Sequence, residues 1–261
     1  RFDPESGHTL WSDNSSTYGL RVFESEGVVV GLAMDGLVTA WKSDERIWSI
    51  DVGELLRGGA LRDQQVSISV DRRLVTVDLH SGSIVETIDF GEETPVGIAV
   101  GETWRLVTCL SGRLCVVREG RIAQILDAHH DSAWSAATNP DGTLVATSGE
   151  DGVIRLWNPQ DWSSAGTMGG DQLAILGLEF SPDGSRLATA GFDTSVRIWN
   201  VAERAEVLRL SGHVWAVQAV SFDPASGSLY SGASDGVIRR WRVQDRWSWH
   251  SPDAHESPPP S

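Results

Sequence analysis

The chain has 261 residues, of which 40% are apolar, and a formal net charge of −15 at pH 7. This length suits one all-β domain, because such folds routinely run to roughly 200–250 residues. An acidic surface repels phosphate backbones, whose binding needs clustered cations, so no nucleic acid partner is expected. Apolar runs in the sequence stay well short of the about 20 residues of a spanning helix, so no membrane partner is expected either.

The first half of the chain repeats a pattern of short strands and tight turns. Residues 8–12 (HTLWS) predict an isolated strand, and residues 18–51, 54–90 and 94–127 each predict strands joined by turns. The turns include Asp35, the segment 80–82 (HSG) and the segment 111–112 (SG). Each of the three longer segments therefore predicts one small antiparallel sheet.

The second half repeats a longer motif at a fixed interval. The segments DGVIRLWN (151–158), DTSVRIWN (193–200) and DGVIRRWR (235–242) place three Trp residues 42 positions apart, and NPDG, SPDG or DPASG precedes each of them. A period of about 40–45 residues with four short strands per unit is typical of propeller blades. The repeats predict three further blades, at residues 129–169, 171–210 and 213–242.

With these motifs, residues 129–242 resemble the WD-repeat (WD40) family, and residues 18–126 resemble it in a degenerate form. The resemblance implies an all-β propeller of four-stranded antiparallel blades. Turns near residues 35, 71, 111, 151, 193 and 235 predict six blades within a single domain of residues 1–249, with seven blades, one missing or atypical, as the alternative. Residues 8–12 are expected to close the ring as the outer strand of the last blade, with residues 245–249 as the rival, and residues 250–261 form a Ser/Pro-rich tail.

The resemblance is clear in the last three blades, here called the clear blades. In each of them it also implies a buried hydrogen-bonded chain of Trp, hydroxyl, His and turn Asp. The residues concerned are His129, Thr147, Asp151 and Trp157 in the fourth blade, Thr189, Asp193 and Trp199 in the fifth, and His213, Ser231, Asp235 and Trp241 in the sixth. Asp171 occupies the His position of the fifth blade, facing Asp193. Because two close carboxylates repel, one of them is expected to protonate, turn to water or recruit an Arg.

Within this family the top face, around the central channel, often binds peptides. The positions used by the family correspond here to Met34, Ser132, Trp134, Glu150, Ala174, Leu176, Phe192, Ala216, Gln218 and Ser234. In the second and third blades the residue just before the turn adds Val70 and Leu110. Trp134 and Phe192 are expected to form one apolar surface that anchors a partner. The alternative is that these side chains pack on neighbouring loops and plug the channel.

Chemical motifs are weak throughout the sequence. The segment 232–236 (GASDG) matches GxSxG, but that motif needs a strand–turn–helix, and the seven His residues lack metal-ligand spacing. No catalytic residue, metal or cofactor is therefore expected. Pairing about the 111–112 turn predicts that Cys109 and Cys115 point to opposite faces without a disulfide, which fits a reducing, cytoplasmic compartment.

The function that follows is a non-catalytic interaction scaffold or sensor module that binds at its top face. Its partner is a protein, a peptide or another domain of the same polypeptide, since the chain is expected to be part of a larger signalling protein. The oligomeric state stays open. A propeller enzyme, lactonase or quinoprotein-like, is the alternative, because LVTAW and LVTVDLHSG resemble quinoprotein repeats.

Overall fold

The computed structural model describes residues 19–241 except positions 34, 44, 54, 171, 172, 225 and 226, and only the backbone of residues 19–24. The described strands form six small antiparallel sheets that follow one another along the chain. The sequence prediction of an all-β, six-bladed propeller is confirmed.

The first three blades each contain four strands in sequential order. The first blade comprises β1 (Gly19–Ser25), β2 (Val28–Ala33), β3 (Leu37–Lys42) and β4 (Glu45–Asp51). The second comprises β5 (Leu56–Arg62), β6 (Gln65–Val70), β7 (Arg73–Asp78) and β8 (Ile84–Asp89). The third comprises β9 (Pro95–Val100), β10 (Arg105–Cys109), β11 (Arg113–Arg118) and β12 (Arg121–Asp127).

The last three blades are the regular repeats of the sequence. The fourth blade comprises β13 (Ala133–Thr138), β14 (Val145–Gly149), β15 (Val153–Trp157) and β16 (Ser164–Gly169). The fifth comprises β17 (Ile175–Phe180), β18 (Arg186–Gly191), β19 (Val196–Asn200) and β20 (Ala205–Leu210). The sixth comprises β21 (Val217–Phe222), β22 (Leu229–Ala233) and β23 (Ile238–Trp241). The predicted closing strand, residues 8–12, and its rival, residues 245–249, lie outside the described residues.

The sequence of each strand matches its place in the blade. The second and third strands are covered by neighbouring blades, so they are buried along most of their length, as in QVSISV of β6, where five of six residues are buried, the two serines included. The fourth strands lie at the outside and are mostly exposed, as in β8 and β12. Five clusters of buried side chains each join two neighbouring blades, so the core lies between the sheets.

The first strands of neighbouring blades pack against one another around the channel. Gly97 in β9 shows how closely they approach, because a Cβ added there would lie 2.7 Å from the Trp134 carbonyl oxygen in the next blade. Only glycine leaves room for that contact. The position of Trp134 beside the channel is therefore fixed by backbone packing between the third and fourth blades.

The prediction that Cys109 and Cys115 point to opposite faces is wrong. The hairpin pairs Thr108 with Leu114 and Val107 with Cys115, one residue out of the expected register. The loop has three residues and ends on Gly112 with a φ of 82°, the geometry of a bulged hairpin, whereas the prediction assumed a two-residue turn. Both free thiols are buried on one face, with their Sγ atoms 3.8 Å apart.

Candidate protein-binding face

The fourth blade holds its top-face loop with a continuous chain of hydrogen bonds. Asp151 Oδ1 lies 2.9 Å from His129 Nδ1, His129 Nε2 lies 3.0 Å from Thr147 Oγ1, and the Trp157 indole donates to that oxygen at 3.0 Å. Burial lowers the pKa of His129 despite the pull of Asp151, so the ring is neutral at pH 7. We assign its proton to Nδ1, which then donates to Asp151 and leaves Nε2 to accept from Thr147, while Arg155 Nη1, 2.9 Å from the same Nδ1, donates to Asp151 Oδ2.

The sixth blade repeats this chain. His213 Nδ1 lies 3.0 Å from Asp235 Oδ2, and His213 Nε2 lies 2.8 Å from Ser231 Oγ. The Trp241 indole donates to the same hydroxyl at 2.8 Å. Asp235 also accepts the backbone N–H of Val214 at 3.1 Å, which ties the loop before β21 to the turn after β22.

In the fifth blade a guanidinium holds the turn Asp, as Arg155 also does in the fourth blade, where its Nη1 donates to Asp151 Oδ2 at 2.7 Å. Trp199 donates to Thr189 Oγ1 at 3.0 Å, but Asp193 is held by two hydrogen bonds from Arg197, one of them 3.2 Å long. Burial acts to raise the pKa of Asp193, yet the hydrogen bonds from Arg197 and Ser195 outweigh it and hold that pKa below its usual value. Of the three expected outcomes, recruitment of an Arg describes Asp193, whereas Asp171 lies outside the described residues.

These chains fix the two kinds of segment that make up the top face, namely the loop before each first strand and the turn between the second and third strands. In each clear blade the turn residue before the Asp donates its backbone N–H to the loop. The three bonds are Glu150 to Ser132 at 2.8 Å, Phe192 to Ala174 at 2.9 Å and Ser234 to Ala216 at 2.9 Å. The structure thus brings together, within each of these blades, the residues that the family positions had singled out.

The predicted top-face residues differ in how much of them is accessible. Glu150, Phe192, Gln218 and Ser234 are exposed, Ser132, Trp134, Leu176, Ala216 and Leu110 are half-buried, and Ala174 and Val70 are buried. Met34 lies outside the described residues. Val70 has no exposed surface at all and belongs to the core between the first and second blades, so it cannot contact a partner directly.

In each of the last three blades a β-bulge lies five residues past the His position of the motif, which is residue 129, 171 or 213. In β13, β17 and β21 the register slips at Trp134, Leu176 and Gln218, and the first strands of the second and third blades slip at Arg57 and between Pro95 and Ile98. A bulge re-aims its side chain relative to the rest of the strand, and bulges are over-represented beside functional sites. The Trp134 indole uses this position to donate to Glu150 Oε2 at 2.8 Å.

Sequence reasoning missed much of the apolar surface of this face. Four large apolar side chains on the top-face loops of the fifth and sixth blades have 57–73% of their surface exposed. They are called the apolar patch and comprise Leu173, Phe192, Val214 and Trp215. Phe192 follows the end of β18, and Trp215 lies just before the start of β21. These two strands pack against each other. Leu173 and Trp215 lie two residues past the loop His position, so the shared offset in the repeats was the available signal.

Neither a metal site nor a nucleophilic serine is supported by the described residues of this face. The described residues contain no group of three or more His, Cys, Asp or Glu side chains placed to hold a metal ion. Ser234, in the GxSxG match, lies in a turn between two strands and accepts a hydrogen bond from Gln218 at 2.9 Å. That turn lacks the helix that a nucleophile elbow needs.

In the described part of the chain, we find no helix with the length and apolarity needed to cross a membrane.

Comparison with known proteins identifies the repeats. Residues 120–158, 162–200 and 204–242 match the family model described as "WD domain, G-beta repeat". Each match ends one residue past Trp157, Trp199 or Trp241 and begins near the outer strand of the preceding blade, so the sequence repeat is staggered by one strand from the blade. The molecule is a six-bladed propeller whose last three blades are WD repeats, and the resemblance drawn from residues 129–242 is confirmed.

Similar curated proteins share only short segments with this chain. Nucleoporin SEH1-B of Xenopus laevis is 34% identical over 64 residues, which cover 23% of this chain and 18% of the relative. The probable cytosolic iron-sulfur protein assembly protein Ciao1 of Anopheles gambiae is 48% identical over 40 residues, 15% of this chain and 12% of the relative. The chain spans less than a fifth of the length of these relatives. What it shares with them is the WD-repeat propeller, a fold that generally serves as a scaffold for protein interactions and is typically non-catalytic.

Proposed function

We propose that this propeller is a non-catalytic interaction module that captures a protein or peptide at its top face. The observation that carries the proposal is the apolar patch, four large side chains with most of their surface exposed on loops that hydrogen bonds hold in place. Exposed apolar groups clustered on one face mark interaction sites, and aromatic anchors dominate the binding energy of interfaces. The patch therefore supplies both the driving force and a rigid frame.

The surroundings of the patch indicate the chemistry of the partner. On the fourth blade, which neighbours the patch, the exposed Glu150 carboxylate accepts a hydrogen bond from the Trp134 indole. A negative charge therefore lies next to an aromatic ring there. On a chain of net charge −15, this favours a segment with a hydrophobic or basic anchor. Such a segment belongs to a separate protein or to another domain of a larger signalling polypeptide, and the two free thiols support a cytoplasmic location.

The test compares two double variants in partner capture. Phe192→Ala with Trp215→Ala removes both aromatic rings of the patch, whereas Ile84→Ala with Val85→Ala removes exposed apolar side chains from the outer strand β8. Loss of one aromatic anchor typically costs about 2 kcal/mol or more, roughly a 30-fold loss of affinity. A protein captured by the wild-type chain and by the β8 variant should be lost with the patch variant, while both variants keep the melting temperature of the wild type to within a few degrees.

Capture that survives the Phe192 and Trp215 double variant would show that recognition runs through another surface. A third variant, Trp134→Ala, tests the prediction that the indole on the fourth blade extends the patch. It should weaken capture by itself, because Trp134 lies half-buried beside the exposed Glu150 carboxylate.

A further inference from the structure

A second feature of the top face lies between the second and third blades, away from the apolar patch. A cavity of about 490 Å³ opens there. Its walls come from β5 with the loop before it, from the turn between β6 and β7, and from Thr94 just ahead of β9. Three arginines line it, Arg57, Arg72 and Arg73, which is a concentration of positive charge in a chain with 36 acidic and 21 basic residues.

Arg57 occupies the bulge of β5, the position that Trp134 and Gln218 hold in their own blades. Its Nε atom is buried and has no hydrogen-bond partner among the described residues. A buried donor without an acceptor is unfavourable, and most such groups in folded proteins are satisfied. Nε itself is closed off, but no hydrogen bond ties the two Nη atoms of Arg57 to a described residue, so an acceptor oxygen in the cavity would meet those atoms.

The other two arginines are already engaged. Arg72 Nη1 donates to the Gly91 carbonyl at 3.3 Å, while Arg73 Nη2 lies 3.7 Å from Asp71 Oδ2 and 3.5 Å from the Val52 carbonyl oxygen. Gly53 leaves the space that the Arg73 guanidinium fills, since a Cβ there would lie 2.8 Å from Nη2. These contacts fix Arg72 and Arg73 in the wall, whereas no hydrogen bond to a described residue occupies Arg57.

The charge balance of the cavity selects the ligand. The described residues of its lining include three arginines and two aspartates, Asp71 and Asp89, so three positive and two negative charges leave one positive charge among them. A carboxylate, with one negative charge, neutralises that excess, and its two oxygens match the planar fork of a guanidinium. A phosphate dianion would exceed it and would lie beside two carboxylates.

We propose that this cavity binds a carboxylate of the partner, held by Arg57. This proposal rests on the proposed function, because it makes the cavity a second contact for the protein or peptide that the apolar patch anchors. The carboxylate belongs to an Asp or Glu side chain or to the C-terminus of the partner, which share the same chemistry.

The experiment follows the Arg57 Nε–H resonance of the full chain by NMR while small probes are added. Four probes separate the sources of the anion: N-acetyl-glutamate amide carries only a side-chain carboxylate, and N-acetyl-glutamine carries only a C-terminal one. N-acetyl-glutamine amide is the neutral control, and inorganic phosphate is the competing anion. At least one of the two carboxylates should shift the Arg57 signal saturably, the neutral amide should not, and phosphate should bind more weakly; the tighter carboxylate identifies the source.

Two variants sharpen the result. Arg57→Lys keeps the charge but loses the planar fork, so it should weaken binding of the carboxylate at least about tenfold. Arg62→Lys makes the same change on a half-buried Arg that pairs with Asp63 at the other end of β5, and it should leave binding unchanged. Because the wild-type titration observes Arg57 itself, the test remains decisive even if the Arg57→Lys variant does not fold.

Three outcomes would overturn the proposal: no saturable shift with either carboxylate, tighter binding of phosphate than of both, or equal affinity in Arg57→Lys. The titration uses no partner protein, so its failure leaves the proposed function standing. Conversely, capture that survives loss of the apolar patch would refute the proposed function while leaving the carboxylate titration intact.

Discussion

Loss of the buried Arg197 guanidinium in the fifth blade should destabilise the folded chain. Its side chain is only 4% exposed, and it faces Asp193, 23% exposed, and Glu206, 29% exposed, whose Oε2 lies 3.1 Å from Arg197 Nε. Removing one partner of a buried ion pair costs about 3–5 kcal/mol. Because both acids keep some contact with water, the expected cost of Arg197→Met at pH 7 is smaller, about 2–3 kcal/mol.

Acid should reduce the loss of stability caused by Arg197→Met. The pKa of Asp193 lies below its usual value in the folded chain, so its contribution to stability is present above the unfolded pKa and is lost as pH falls through the folded pKa. Arg197→Met removes the hydrogen bonds that lower this pKa. The gap in stability between wild type and variant should therefore be widest near neutral pH and narrow below about pH 4.

Urea melts of wild type, Arg197→Met and Arg209→Met at several pH values provide the assay. Arg209 pairs with the same Glu206 but is 55% exposed, so its loss should cost less than about 1 kcal/mol. Equal losses for the two variants at pH 7, or a gap that widens in acid, would refute the reasoning.

Other predictions concern the buried polar groups. Trp157→Phe breaks a complete chain and should lower the free energy of unfolding by about 1–3 kcal/mol, whereas Trp199→Phe, in the blade without the imidazole, should cost less; urea melts that reverse this order would contradict the assignment. The pKa of His129 is lowered in the folded chain, so the unfolded chain takes up the proton first and wild-type stability should fall as pH drops below about 6.5. His129→Gln should lose that part of the pH slope, and an unchanged slope would count against a neutral ring. The thiols of Cys109 and Cys115 are fully buried, so a thiol reagent should react slowly in native buffer and quickly in urea; fast native labelling would contradict the packing.

The repeating residues made most of the fold predictable. Trp157, Trp199 and Trp241 carried the register of the last three blades, and the spacing of the turns gave the number of blades even where Trp is absent. Each of these features recurs because the same local hydrogen bonds and turn geometry are needed in every blade. The structural role of Asp151 and Asp235 followed from the resemblance to the WD-repeat family.

Features that depend on a single turn or on neighbouring blades were not predictable. The register at Cys109 depended on whether Gly112 closes a two- or a three-residue loop, which the local sequence leaves open. Arg57 holds the bulge position of a degenerate blade that lacks the His, so the repeat motif did not identify it, and the burial of its Nε results from the packing around it. The exposure of Trp215 is likewise a property of the folded loops, because the sequence alone cannot separate an exposed indole from a buried one.

The central claim, that the top face binds the partner, is tested most directly by site-specific photo-crosslinking. A photoreactive amino acid placed at Phe192 in the apolar patch, and in a separate chain at Ile84 on the outer strand β8, samples two apolar positions of similar exposure, 57% and 48%. Irradiation of the cells that contain the native partner should give a covalent adduct from position 192 and none from position 84. Adducts from position 84 with none from position 192 would contradict the claim.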